Sequence, residues 1–231
     1  RRYTAPGAIP VCCDGNAPLP FAHGSFEFAM CSDAFMFIWM KRLFVSEMFR
    51  AVAGSPNATV LINHTHNQLV WSPSHGNALL PSGYRGLFDT MAPRVFGESG
   101  LFEGLVERGM LDLSRRDDDA TLDAEVALTL IASSVEGIFE SHQAPPPPSS
   151  GGEWRINPLY QVREESGQLA LTLQFPSPDY EDEYGACRQY LPAEVSVNTA
   201  ALRALQAGRP DGTLDDLVRR RVIVEVPRRY F

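Results

Sequence analysis

Three groups of residues in this 231-residue chain are of the types that do chemistry. His64 and His66 flank Thr65 at the end of the apolar run ATVLINH. Histidine titrates near working pH, so either ring could take a proton from a hydroxyl or orient a substrate. In an extended segment the two rings share one face, which also makes HTH half of a metal site; no third ligand is recognisable at a supporting spacing, and no metal is expected. Asp14 follows the run IPVCC, and Cys31, Ser32 and Asp33 close the run FEFAMCSD. An acidic side chain at a strand end can accept a hydrogen bond from an amino or hydroxyl group of a nucleoside. Asn67, Trp71 and His75 follow the histidines closely, on the rim where a substrate would enter.

The elements that must position these residues are legible as a pattern. IPVCC (9–13), FEFAMCS (26–32) and ATVLINH (58–64) have the length and β-branched content of buried strands. Between the second and third, Phe37, Met40, Phe44, Met48 and Val52 recur at helical spacing over 34–54, and Gly54 with Pro56 supplies a stop. Strand, helix, strand implies a parallel sheet with a right-handed crossover, hence an α/β domain. Ligands of such sheets bind beyond the carboxyl ends of the strands, where Asp14 and the Cys31 to Asp33 triplet fall. Further on, GYRGLFDTMA and GLFEGLVERG read as short helices, and 121–142 as an amphipathic helix capped by Thr121 or Asp119. The acidic run in SRRDDDA reads as a polar loop leading to that cap. QAPPPPSSGGE (143–153) is a linker by composition. INPLYQVREE, SGQ and LALTLQFPS make a hairpin, followed by helical pieces in NTAALRALQAG and TLDDLVRR and a last strand in RVIVEVP.

Bulk properties narrow the partners. The net charge of −8 argues against nucleic acid, since phosphate neutralisation needs a surplus of Lys and Arg. The basic C-terminus (Arg219, Arg220, Arg221, Arg228, Arg229) reads as a solvated strand edge and helix end. No run approaches the ~18 apolar residues of a membrane span, and RRYTAPGAIP lacks the apolar stretch of a signal peptide, so no membrane partner is expected. Cys12, Cys13, Cys31 and Cys187 form no CxxC pair, and the first three sit in apolar runs, where cysteine behaves as a small buried hydrophobe. A reduced, cytoplasmic location is the expectation.

The stretch DGNAPLPFAHGSFEFAMCSDAF (14–35) resembles the D-x-x-x-LPF-x-x-x-SFD segment of class I S-adenosylmethionine-dependent methyltransferases, with one extra residue between Asp14 and Leu19. EMFRAV (47–52) resembles the E-x-x-R-V-L helix end that precedes a glycine turn and the next strand in that family. The resemblance covers about residues 8 to 67. It implies a partial Rossmann-like doubly wound sheet with a helical insertion and a C-terminal antiparallel hairpin. It also implies S-adenosyl-L-methionine as cofactor, and methyl transfer to an oxygen or nitrogen of a small molecule. Asp14 and the backbone of Gly15 would meet the adenine ring, and Cys31 and Ser32 the methionine and ribose part, while Glu27 takes a structural acidic place. His64 and His66 would serve catalysis; Trp71, His75 and Phe35 would line the acceptor side. Where many members carry a histidine after the Cys-Ser-Asp-Ala turn, this chain has Phe35, Met36 and Phe37, which makes the pocket wall more apolar.

The family's Gly-rich cofactor loop has no counterpart in the sequence. The resemblance therefore divides the chain into a C-terminal part of the core sheet (1–67), a helical cap (68–142), the linker (143–153), and strands and helices completing the sheet or forming a small lobe (154–231). On this reading the chain is the C-terminal portion of a longer enzyme and binds the cofactor weakly or not at all. The alternative is a non-catalytic, methyltransferase-like interaction domain, with a homo-oligomer or a missing N-terminal segment covering its open sheet edge. A nucleotide-sugar or dinucleotide enzyme of similar topology is a third reading, without LPF-type support.

Overall fold

In the computed structural model, which describes residues 8–144 and 151–227, the chain divides into two compact units, Arg1–Glu98 with Ser114–Glu140, and Ser99–Leu113 with Ser141–Phe231. The first seven residues, the proline-serine part of the linker and Arg228 and Arg229 lie outside the described residues. The structure is mixed α/β with several sheets.

In chain order the first stretch forms β1 (Phe28–Ser32), a 3-10 turn (Phe35–Phe37), α1 (Lys41–Val52), β2 (Thr59–His66), α2 (Pro81–Arg85) and β3 (Arg94–Gly97). Next come α3 (Glu98–Arg108), β4 (Met110–Asp112), α4 (Asp119–Ala124) and β5 (Ala127–Ser133). The first unit's sheet has the order β1-β2-β5-β3. β1 and β2 pair in parallel through the α1 crossover, as strand, helix, strand predicts. β5 is antiparallel to both β2 and β3, so β3 runs in the same direction as β1 and β2. The central strands β2 and β5 supply Val60, Ile62, Leu128 and Leu130 to the core, and α1 lays Val45, Met48, Phe49 and Val52 against it. Each such side chain contributes a few kcal/mol by burial; truncating Leu130 to Ala would cost about 2–5 kcal/mol.

Several expectations are corrected here. Residues 9–13 form no strand: Ile9 is 86% and Val11 51% exposed, and Cys12 and Cys13 are exposed rather than buried. A short apolar run without a paired neighbour has no ladder to satisfy its backbone. The expected helix over 34–54 starts only at Lys41, leaving Phe37 and Met40 exposed. The expected helix over 121–142 is instead the short α4 followed by β5. Residues 68–142 are thus no purely helical cap, because they contribute β3 and β5 to the sheet. The cap of α4 is Asp118, whose side chain accepts from the Thr121 N–H.

The rest of the chain forms β6 (Ser141–Gln143), β7 (Glu153–Ile156), β8 (Tyr160–Glu165), β9 (Gln168–Leu173), α5 (Pro178–Tyr184), β10 (Glu194–Asn198), α6 (Thr199–Gln206), α7 (Asp215–Arg219) and β11 (Ile223–Val226). The expected hairpin exists as β8 and β9, turning at Ser166 and Gly167. It does not complete the first sheet: β9 pairs with β10 in a separate three-stranded antiparallel sheet, over a core that includes Leu171, Leu191, Val197 and Ile223. Among the described residues no helix is long and apolar enough to cross a membrane.

Candidate functional site

The carboxyl ends of β1 and β2 lie side by side because the parallel register pairs Ser32 with Asn63. Just beyond this pair each chain segment takes a positive φ, Asp33 at +50° where β1 ends and His64 at +52° within β2. Asp and His tolerate the left-handed region better than most side chains, yet a cost of order 1 kcal/mol each has to be held in place by the surroundings.

At His64 the device is a β-bulge. Ile62 pairs with Leu130 and Thr65 with Leu128, so Asn63 and His64 together oppose the single residue Thr129. Glu98, at the first position of α3, pins the bulge. Its Oε1 accepts from the His64 backbone N–H (2.7 Å) and the Thr129 hydroxyl (2.7 Å), and its Oε2 lies 2.7 Å from His64 Nδ1. An ionised carboxylate only accepts, so Nδ1 carries the proton and donates, which places the lone pair of the neutral ring on Nε2. Burial opposes ionisation of Glu98, but the ring and the donated hydrogen bonds outweigh it and hold the carboxyl below its ordinary range. Glu98 has no local signature in the sequence, because the pairing of β3 with β5 sets it beside a residue 34 positions upstream.

His66 is buried at 2% exposure, and its ring centroid stands 5.7 Å from that of His64. Its Nδ1 and the Ser72 hydroxyl share a hydrogen bond of 3.3 Å, and its carbonyl accepts from the buried Tyr84 hydroxyl (2.8 Å). The extended-segment expectation that the two rings share a face is therefore met through a bulge rather than through simple alternation. Asp33, exposed at the end of β1, completes a trio: Asp33, His64 and His66 each offer a ligand atom, and these atoms lie within 4.8 Å of one another.

The other sequence candidates distribute unevenly. Ser32 is exposed at the strand end, where its Oγ accepts from Asn63 Nδ2 (3.0 Å). Cys31 points into the core; burial pushes its thiol up to about 11, so it stays neutral and could meet a ligand only through its main chain. Asp14 is exposed and closes a turn by accepting from the Asn16 N–H (2.8 Å). Asn16 Oδ1 in turn accepts from the N–H groups of Trp39 (2.7 Å) and Met40 (3.0 Å), which docks the Asp14-Gly15 turn on the segment joining β1 to α1. A Cβ at Gly15 would come within 2.7 Å of Ile38 Cδ1, the far end of a side chain that would have to swing aside. Phe35 is wholly buried against Phe44 and Tyr84, a core residue and no pocket wall. Trp71 is 69% exposed, while the Nδ1 of His75 is buried without a partner. Asn67 is structural: its side-chain amide donates to the carbonyls of Leu122, Asp123 and Glu125.

The two halves of the sequence motif touch directly. Glu47 Oε2 accepts from the Leu19 N–H (2.7 Å), and Arg50 donates to the carbonyls of Phe21 (2.7 Å) and Leu19 (3.0 Å) while pairing with Glu47 (2.7 Å). A depression lined by residues 23–27 and 53–56 lies at the amino ends of β1 and β2, the wrong end of a parallel sheet for a ligand.

No family model matches the chain, and neither a curated protein nor a solved structure matches it.

Proposed function

We propose that the chain carries part of a class I methyltransferase core, which binds S-adenosyl-L-methionine at the carboxyl ends of β1 and β2 and passes its methyl group to an oxygen or nitrogen of a small molecule. The observation that carries this reading is the Glu47-Arg50 clamp on Leu19 and Phe21: the E-x-x-R and LPF pieces, matched separately in sequence, act as one structural unit. The antiparallel β5 beside parallel strands supports it, because this fold closes with an antiparallel last strand.

On this reading Asp14 accepts from the adenine amino group and the Gly15 backbone lies along the ring. Ser32 and the main chain of Cys31 face the sugar and methionine part. The methyl acceptor approaches from the side of Trp71 and His75, and His64 removes its proton through Nε2 while Glu98 holds the ring and stabilises the imidazolium that forms. His66, buried beside the His64 ring, acts on the acceptor only through His64.

The experiment is equilibrium binding of S-adenosylhomocysteine to the chain and to Asp14→Ala. Weak binding that falls about tenfold or more in the variant, as loss of a charge-assisted hydrogen bond predicts, supports the reading. Binding unaffected by Asp14→Ala, or none at millimolar ligand, rejects it.

A second reading, a non-catalytic domain that adds another chain to its sheet, is favoured by one observation. β1 is an edge strand, with Phe28 51% and Met30 57% exposed.

A further inference from the structure

We propose that Asp33, His64 and His66 form a binding site for a divalent first-row transition-metal ion of the zinc type, with a fourth position left for water or a substrate oxygen. Sequence spacing offers two histidines and no third ligand; the parallel register of β1 and β2 supplies the third by setting Asp33 beside the bulge.

Four observations converge. The three donor atoms lie within 4.8 Å of one another. Around zinc, with bonds of about 2.0–2.2 Å, tetrahedral donors stand roughly 3.3–3.6 Å apart, so an approach of at most about 1.5 Å completes the site. Asp33 is exposed, so its side chain can make that movement, and His64, 33% exposed, leaves the ion a way in. Two of the three ligands occupy positive-φ positions at adjoining strand ends, the kind of strained backbone that concentrates at ligand clamps.

The fourth observation is the Glu98-His64 pair. A metal-bound histidine characteristically donates its other ring N–H to a carboxylate, which fixes the tautomer and strengthens the ligand nitrogen. Glu98 does this to Nδ1, and Thr129 and the His64 N–H hold Glu98 in turn, so the ion would take Nε2 with this support already formed. Ser72 stands in the equivalent place behind His66. Two imidazoles and one carboxylate with an open position suit Zn2+ or Fe2+ and are too nitrogen-rich for Ca2+ or Mg2+.

The site goes beyond the methyltransferase reading and does not rest on it. If both hold, the ion would acidify a bound hydroxyl, whose proton would pass to solvent, and His64 would serve as ligand in place of acting as the base.

The test is titration of Zn2+ into metal-free protein, with Co2+ as the spectroscopic probe. It is done in a Cys12→Ser/Cys13→Ser background, because those two exposed thiols could bind zinc themselves. One equivalent is expected, with the visible absorption of low-coordinate Co2+. Asp33→Asn and His64→Gln, at accessible positions, should each weaken binding about 100-fold or more with the circular dichroism unchanged. Glu98→Gln, a positioning residue, should weaken it about 10- to 100-fold. His66 is buried, so its variants are not needed for the decision. Absence of stoichiometric binding, or binding indifferent to both Asp33→Asn and His64→Gln, overturns the site. No S-adenosylmethionine is present, so either outcome leaves the methyltransferase reading to its own test.

Discussion

His64 shows how one residue can be placed by several weak constraints acting together. A bulge turns it out of the ladder, a left-handed backbone aims it, and Glu98 binds both its backbone N–H and its ring. The cysteines differ as sharply at this scale. Burial keeps the thiols of Cys31 and Cys187 neutral, while Cys12 and Cys13 stand in solvent. Since the thiolate is the nucleophile, brief treatment of native protein with iodoacetamide at pH 8 should alkylate Cys12 and Cys13 and spare the other two, as read by peptide mass mapping. Modification of Cys31 at a comparable rate would contradict its place in the core. The two histidines were legible from HTH alone. Asp33 was legible only as a strand-end acid and Glu98 not at all, because their relation to His64 is made by the β1–β2 and β3–β5 registers, which leave no local spacing in the sequence.

The element that ties motif to fold is α1. Its inner face packs on the sheet, while Glu47 and Arg50 hold the loop before β1 by its main chain. Replacing Glu47, whose side chain is 10% exposed, by Gln should cost about 1–3 kcal/mol at pH 7, measured by urea unfolding. The hydrogen bond from Arg50 is the largest cause holding the Glu47 carboxyl below its ordinary range. A depressed pKa means the folded state binds fewer protons than the unfolded state, so this stability is fully present above the unfolded value of about 4.3 and is lost as pH falls through the folded one. The difference between wild type and Glu47→Gln should therefore be constant above pH ~5 and shrink below ~4; a difference that grows in acid would contradict the clamp. The same scale shows where the sequence misleads. AEVALTLIASS is apolar at both periods, and a short strand buried on both faces, as β5 is, cannot be told from a helix by periodicity. Its β-branched residues were the available signal. IPVCC fails in the opposite sense: it has a strand's composition but no paired neighbour among the described residues.

For the molecule as a whole, the first unit presents a parallel edge strand with exposed apolar side chains, a surface that parallel sheets ordinarily cover. Self-association rising with concentration in analytical ultracentrifugation is the expected behaviour, and Met30→Lys should reduce it by placing a charge on the strand face. Association unchanged in that variant would locate the contact elsewhere. The α/β class and the β1-α1-β2 crossover followed from the pattern of runs, whereas the antiparallel β5 between β2 and β3 joins segments about 70 residues apart and had no local signature. The central claim is that function resides at the carboxyl ends of β1 and β2, and the most direct measurement follows the backbone amide resonances of 15N-labelled protein during titration with S-adenosylhomocysteine. The account predicts shifts confined to Gly15, Ser32, Asp33 and their neighbours through His64. Shifts centred on residues 23–27 and 53–56 at the opposite end of the sheet, or none at millimolar ligand, would contradict it.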